Sequence, residues 1–262
     1  MEDNIENKQI NVDIPTDEEI FKFRKKLIAF LLSSCILTTI IIVALMIIPT
    51  FMNNTRKPAI YLYPKETIQI SIKLDKSIKY NNVIPQYKNG WLVEAEPNGY
   101  LRDLQPQYTK CHKLPYKEFG FEYSKQACEI NKYPYIYWDG IQIKKPLPDK
   151  EYGFVVKTEN IDKFLSQKAD EMLFNETEKK EFVRYWSKTT KEKNWKYVKI
   201  YFLQNEEVEN YLPIYIEPKP ENSNRIQIII KKAKKNDKLE PQKLIPIKRD
   251  GYTLVEWGGI IK

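Results

Sequence analysis

The sequence predicts an α+β domain with a mainly antiparallel sheet, which follows one N-terminal transmembrane helix. Three observations lead to this prediction: an uncharged apolar run, short segments with period-two alternation, and a helical pair placed between those segments. Strands, then helices, then strands again are typical of α+β folds. We therefore divide the chain into a tail (1–26), a transmembrane helix (27–48), a tether (49–57) and a folded domain (58–262).

The apolar run at 27–48 is 22 residues long and carries no charged side chain. A helix rises about 1.5 Å per residue, so about 20 apolar residues cross the roughly 30 Å hydrocarbon core of a bilayer. The run exceeds the apolar core of a cleaved signal peptide, and no small-residue cleavage motif follows it. We therefore expect an uncleaved anchor that crosses the cell membrane once.

The charges beside this run predict its orientation. Four basic residues lie within 22–26, directly before the run, whereas the first basic residue after it is Arg56. Basic residues are retained on the cytoplasmic side. The N-terminus is therefore expected in the cytoplasm and the C-terminal domain outside the cell. A cytoplasmic regulator tethered by the same helix would require the opposite orientation.

The net charge of the chain is +8, from 43 basic and 35 acidic residues. A basic exported domain can bind anionic lipid, wall polymer or nucleic acid. However, Lys, Ile, Asn and Tyr are all plentiful, and their A/T-rich codons explain this composition more simply than selection for an anionic partner. The Lys residues are dispersed rather than interleaved with aromatic residues, so we expect no nucleic-acid partner. The polar tail 1–26 is interpreted as disordered.

Alternation of apolar and polar residues indicates the strands. It is clearest where four apolar residues of 68–74 are separated by Gln69, Ser71 and Lys73. This is the pattern of a half-buried strand. The predicted strands are 68–74, 91–96, 133–138, 154–157, 197–203, 214–217, 225–231 and 253–257.

Helical periodicity appears after the fourth of these strands. One face of a helix that begins near Asn160 is apolar. A second helix is predicted to begin with a capping box formed by Asn175 and Glu178. The residues expected on the buried faces are Ile161, Phe164, Leu165, Ala169, Met172 and Leu173 in the first helix, and Phe182, Val183, Tyr185 and Trp186 in the second.

Four separated blocks carry a resemblance to a known family. They are KPAIYLYP at 57–64, YWDG at 137–140, GFVV at 153–156 and GYTLVEWGG at 251–259. Together they resemble a family of bacterial cell-surface and secreted proteins, which we call the KPxIYLYP family. The resemblance implies one intact exported domain and brings no activity or catalytic residue with it. The segment from Cys111 to Cys128 departs from the family pattern.

Cys111 and Cys128 follow the membrane segment, so both are expected on the oxidising side of the membrane. We predict a disulfide between them, and two unpaired thiols are the alternative. His112 is the only histidine of the chain, and its neighbour Cys111 is too close in sequence to be a convenient second ligand. We therefore predict no metal site.

Several classes of enzyme lack their signatures in this sequence. A protease triad would have to use the single histidine, and no G-x-S-x-G motif is present. The chain has eight glycines, none of them in a phosphate-binding loop. We predict no cofactor, and the sequence favours a binding role over catalysis.

Carboxylate chemistry is the enzymatic alternative that remains. Asp139 follows Trp138, and Glu256 precedes Trp257, each near glycine and the end of a predicted strand. Glycosidases use two carboxylates about 5 to 9.5 Å apart. These two acids are therefore candidate catalytic residues, and the two tryptophans are candidate binding platforms. The same residues are more typical of strand ends whose tryptophans lie in the core, so the sequence favours structural roles for them.

The sequence thus supports two functional hypotheses. In the first, the exported domain binds a macromolecular partner at the cell surface, which is a protein, a glycan or an anionic polymer. In the second, it is a cell-wall or glycan-active hydrolase that uses Asp139 and Glu256.

The orientation can be tested with a membrane-impermeant maleimide on intact cells, with and without a reductant. We expect Cys111 and Cys128 to be labelled only after reduction, because the domain lies outside and the two thiols are paired. Labelling only after cell lysis would place the domain in the cytoplasm and contradict the prediction.

Overall fold

The computed structural model describes residues 17–51, 54–106 and 123–262. The chain divides into two compact units, Met1–Phe51 and Met52–Lys262. The first unit contains helix α1 (Asp17–Phe51). Because α1 begins at Asp17, the prediction of a disordered tail is wrong for residues 17–26. The rest of that tail lies outside the described residues.

Helix α1 includes the predicted transmembrane segment 27–48. Taken over the described residues alone, no helix is found to be both long enough and apolar enough to cross a bilayer. The membrane span therefore stays a prediction.

The second unit is built around two sheets. The larger has the strand order β3 (Ile78–Ile84), β6 (Ile136–Gln142), β1 (Asn54–Tyr63), β11 (Thr253–Ile261), β10 (Asn222–Ala233), β8 (Tyr197–Gln204) and β7 (Phe154–Lys157). The smaller has the order β5 (Leu101–Asp103), β4 (Trp91–Ala95), β2 (Ile68–Leu74) and β9 (Ile214–Glu217). Among the described strands, β10 and β11 form the one parallel pair. The predicted α+β class with mainly antiparallel sheets is confirmed.

Strands β1 and β11 lie in the middle of the larger sheet, and every residue of β11 is buried. Strand β1 begins at Asn54, so the predicted tether 49–57 is wrong over its last residues. Thr55 pairs with Gly140 of β6, and Arg56 pairs with Gly259 of β11, on the far side of a register shift. The polar start of β1 shows no alternation of apolar and polar residues. It is a strand because it pairs with β6 and β11.

The helical pair covers one face of the larger sheet. Helices α3 (Ile161–Glu171) and α4 (Glu176–Lys191) are confirmed, and so is the capping box. The Phe182 ring of α4 packs edge-on against Trp257 of β11, with ring centroids 5.6 Å apart. Leu173 is exposed and has φ 58°, because the chain turns there after the end of α3. Its predicted place on the buried face is wrong.

Two short helices have no periodic signal in the sequence. Helix α2 (Tyr123–Ile130) precedes β6, and helix α5 (Glu206–Tyr211) joins β8 to β9. Segments of eight and six residues are too short to show helical periodicity reliably. They were therefore not predicted.

Asn205 makes the sharp turn from β8 into α5, with φ 51° and ψ −107°. Its N–H donates to the Arg225 carbonyl (2.7 Å), which continues the pairing of β8 with β10. Its own carbonyl has turned into the helix and accepts from the Glu209 N–H (2.9 Å). The Asn205 side-chain oxygen accepts from the Arg225 N–H instead (3.1 Å). The side chain thus replaces the lost backbone acceptor.

Replacing Asn205 with Ala removes this acceptor and places an alanine in a strained backbone conformation. We expect the free energy of unfolding to fall by roughly 2 to 4 kcal/mol, as the sum of a lost, partly buried hydrogen bond and backbone strain. Chemical denaturation measures this change.

Asn205→Gly serves as the matched control, since it loses the acceptor but adopts this backbone without strain. It should cost less than Asn205→Ala. Equal costs for the two variants would contradict the assignment of strain to this turn.

Candidate functional site

Glu256 lies at the centre of a buried polar network. Its carboxylate accepts hydrogen bonds from Arg225 Nε and, at 3.2 Å, from Trp138 Nε1. The Arg225 guanidinium is also buried, and it donates to Glu209 and to the Leu212 carbonyl (2.7 Å). Burial of an ion pair is tolerated when further hydrogen bonds satisfy both groups. The network therefore connects β6, β10, β11 and α5, and its role is structural.

Asp139 has a separate structural role. Its carboxylate accepts from the backbone N–H (3.0 Å) and the side-chain amide (2.9 Å) of Asn82. The Tyr137 hydroxyl donates to the same carboxylate at 2.9 Å. Burial and this neighbouring carboxylate raise the pKa of Tyr137 far above its usual value. Asp139 therefore ties β6 to the edge strand β3.

The two candidate catalytic carboxylates project from opposite faces of the larger sheet. Ala59 pairs with both Tyr137 and Trp257, so these three side chains share one face. Asp139 lies two residues after Tyr137 and joins that face, whereas Glu256 precedes Trp257 and points to the other. The structure does not bring the two acids together.

Trp138 and Trp257 are both fully buried and present no ring to a ligand. Trp257 instead packs against the ammonium group of Lys57, with Nζ 5.5 Å from the ring centroid. The same Nζ lies 5.0 Å from the Tyr185 centroid and 3.0 Å from Glu181 Oε2. Burial lowers the pKa of Lys57, and the Glu181 carboxylate opposes this shift. The first and last family-like blocks thus meet in the core.

The predicted disulfide is only partly within the described residues. Cys128 is disulfide-bonded and Cys35 is a free thiol, whereas Cys111 and His112 lie outside the described residues. The pairing of Cys111 with Cys128 therefore stays a prediction. Within the described ranges, no group of three or more His, Cys, Asp or Glu side chains is placed to hold a metal ion.

A cleft of about 670 Å³ lies between β9, α5 and the start of β10, and we call it the polar cleft. Its charged and aromatic lining residues are Lys73, Glu206, Glu209, Tyr215, Glu217, Lys219 and Arg225. Three cations and three carboxylates therefore balance in charge. Tyr215 is 57% exposed and is the aromatic residue of this lining.

Hydrogen bonds hold two lining residues of the polar cleft, Tyr215 and Arg225, in place. The Tyr215 hydroxyl donates to Asp75 at 2.8 Å. Hydrogen bonds from Ser77, together with this one, hold the pKa of Asp75 well below its usual range, so the acceptor stays charged. At the wall of the cleft, Arg225 binds the Glu209 carboxylate. The cleft thus has preorganised polar groups beside a fixed aromatic ring.

A larger groove of about 970 Å³ lies between α2 and α4. Four basic side chains line it, but three of them already have partners among the described residues. Lys179 binds Asp170 (2.6 Å), Arg184 binds Glu181 (2.8 Å), and Lys132 lies 4.2 Å from the centroid of the Tyr100 ring. We therefore regard the polar cleft as the stronger candidate site.

The sequence patterns did not identify the polar cleft, because its residues come from four separate elements. The one usable signal was Tyr215, which follows the buried Ile214 in a predicted strand. Alternation places that tyrosine on the solvent side, where an aromatic ring is available to a ligand.

Comparisons with protein-family models, with curated proteins and with solved structures find no match to this chain. The resemblance to the KPxIYLYP family therefore stays a prediction from its four sequence blocks.

The two carboxylates bound to Arg225 are expected to contribute unequally to stability. Glu256→Gln leaves a buried guanidinium without its main counter-charge, which typically costs about 3 to 5 kcal/mol. The Glu209 side chain is 48% exposed, so Glu209→Gln is expected to cost about 1 kcal/mol or less. Urea denaturation of both variants measures the difference. Similar losses for the two would contradict the structural role of Glu256.

Proposed function

We propose that this chain is a single-pass membrane protein whose exported domain binds a neutral glycan in the polar cleft. The observation that carries the proposal is an exposed tyrosine ring in a cleft lined by three basic and three acidic side chains. Carboxylates accept hydrogen bonds from sugar hydroxyls, and the ammonium groups of Lys73 and Lys219 can donate to them. The Tyr215 ring offers an apolar face for the C–H groups of a sugar ring.

The charge of the polar cleft argues against an anionic polymer as the ligand. Glu206, Glu209 and Glu217 all line the cleft and would repel phosphate or carboxylate groups. The positive net charge of the chain does not alter this, because the cleft lining itself is balanced. A neutral polar ligand fits this arrangement best.

A hydrolase that uses Asp139 and Glu256 finds no support in the geometry. The two acids face opposite sides of the sheet, and both are occupied by hydrogen bonds. Glycoside cleavage needs both carboxyl groups on one substrate bond.

Two features support an exported location for the domain. The apolar run 27–48, with basic residues before it, predicts an anchor whose C-terminal side is outside. The disulfide at Cys128 is typical of an oxidising compartment.

The proposal is tested by calorimetric titration of the full-length protein, in detergent micelles, with chitotetraose and cellotetraose as neutral probes. We expect at least one of them to bind, and Tyr215→Ala to weaken that binding by about tenfold or more. Tyr215→Phe keeps the ring and should retain most of the affinity. Glu206→Gln tests the polar contribution of the cleft wall.

Tyr100→Ala is the matched control, because Tyr100 is 42% exposed and lies outside the polar cleft. It should bind as the wild type does. The proposal is wrong if neither sugar binds at millimolar concentration, or if Tyr100→Ala and Tyr215→Ala lose affinity equally.

A further inference from the structure

One edge of the larger sheet is only partly covered. Strand β7 (Phe154–Lys157) forms this edge. At its start, the Gly153 N–H donates to the Glu240 carbonyl (2.8 Å), so the loop after β10 covers that end. Beside it, the Gln242 side chain pairs with both backbone groups of Phe202 in β8 (2.8 and 2.7 Å). These contacts of the loop with the sheet edge do not extend to Val155.

The register of β7 on β8 shows which backbone groups point away from the sheet. Phe154 pairs with Ile200, and in the same register the Thr158 N–H donates to the Lys196 carbonyl (3.1 Å). In an antiparallel pair, successive residues direct their N–H and C=O groups alternately toward and away from the partner strand. The N–H and C=O groups of Val155 and the N–H of Lys157 therefore point outward, whereas the Lys157 C=O begins the 3-10 helix Thr158–Asn160. Among the described turns, loops and caps, no backbone group pairs with the outward groups of Val155 or with the Lys157 N–H.

A groove of about 530 Å³ runs beside this edge, between β7 and α3. Phe154 and Phe164, whose ring centroids are 5.3 Å apart, supply its apolar lining, and both rings are partly exposed. Lys157 and Lys163 supply positive charge, and no carboxylate stands among the described residues that line the groove. The Lys157 ammonium binds Glu159, whose side chain is 61% exposed.

We propose that an acidic polypeptide segment binds here in extended form, as an eighth strand on β7. Its backbone pairs with the outward N–H and C=O groups of Val155 and with the N–H of Lys157, as in other cases of strand addition. Alternate apolar side chains of the segment pack on Phe154 and Phe164. Its acidic side chains bind Lys163 and displace the exposed Glu159 from Lys157. This site is independent of the polar cleft.

The probe is a fluorescein-labelled peptide of alternating valine and glutamate, ten residues long, and the measurement is fluorescence anisotropy with the full-length protein in detergent. The matched probe carries N-methyl groups on alternate backbone nitrogens and cannot pair with a strand edge. We expect the first peptide to bind. The affinity of the methylated peptide should be lower by about tenfold or more. No binding at about 1 mM peptide, or equal binding of both probes, overturns the proposal.

Val155→Pro removes the outward N–H, a change that sheet edges tolerate. It should weaken peptide binding about tenfold, while Val155→Thr keeps the N–H and should bind as the wild type does. Thermal unfolding shows whether Val155→Pro remains folded. Lys163→Glu provides a second variant that leaves the backbone unchanged, and it should weaken binding to a similar degree. Wild-type affinity in both Val155→Pro and Lys163→Glu overturns the proposal.

Discussion

The buried ion pair between Arg225 and Glu256 determines how the larger sheet is assembled. These residues lie side by side on β10 and β11, the parallel pair at the centre of the sheet. Burial of two charges is costly unless their geometry is good and their remaining hydrogen-bonding groups are satisfied. Trp138 and the Leu212 carbonyl satisfy them, which fixes β6 and the end of α5 around the pair. The same guanidinium lies at the wall of the polar cleft, so the core and the candidate site share one fixed point.

The residues that stand out in the sequence turn out to be architectural. Lys57 is enclosed between the Trp257 and Tyr185 rings and paired with Glu181 of α4. Gly259 allows α4 to approach β11, since a Cβ there would lie 2.8 Å from the Trp186 ring. These blocks dock the helical pair on the sheet. The candidates that remain for a functional role are less distinctive residues on the surface.

An element can be predicted from the sequence when its own residues determine its structure, and not when distant contacts determine it. Strands such as β2 and helices such as α4 were predicted because their own residues alternate or repeat, and the Asn175 cap is a local interaction. The start of β1 was missed because partner strands hold it, and α5 was missed because it is short and begins at the Asn205 turn. The opposite directions of Asp139 and Glu256 follow from strand register, which the sequence does not express. The polar cleft combines residues from distant segments and has no motif.

The most direct test of the polar cleft as the ligand site is hydrogen–deuterium exchange of the full-length protein with and without a neutral oligosaccharide. Binding there should slow exchange in α5 and β9, over residues 206–217, because those segments form two of its walls. The groove between α2 and α4 should be unchanged. Protection confined to that groove, or no protection at saturating sugar, would contradict the assignment.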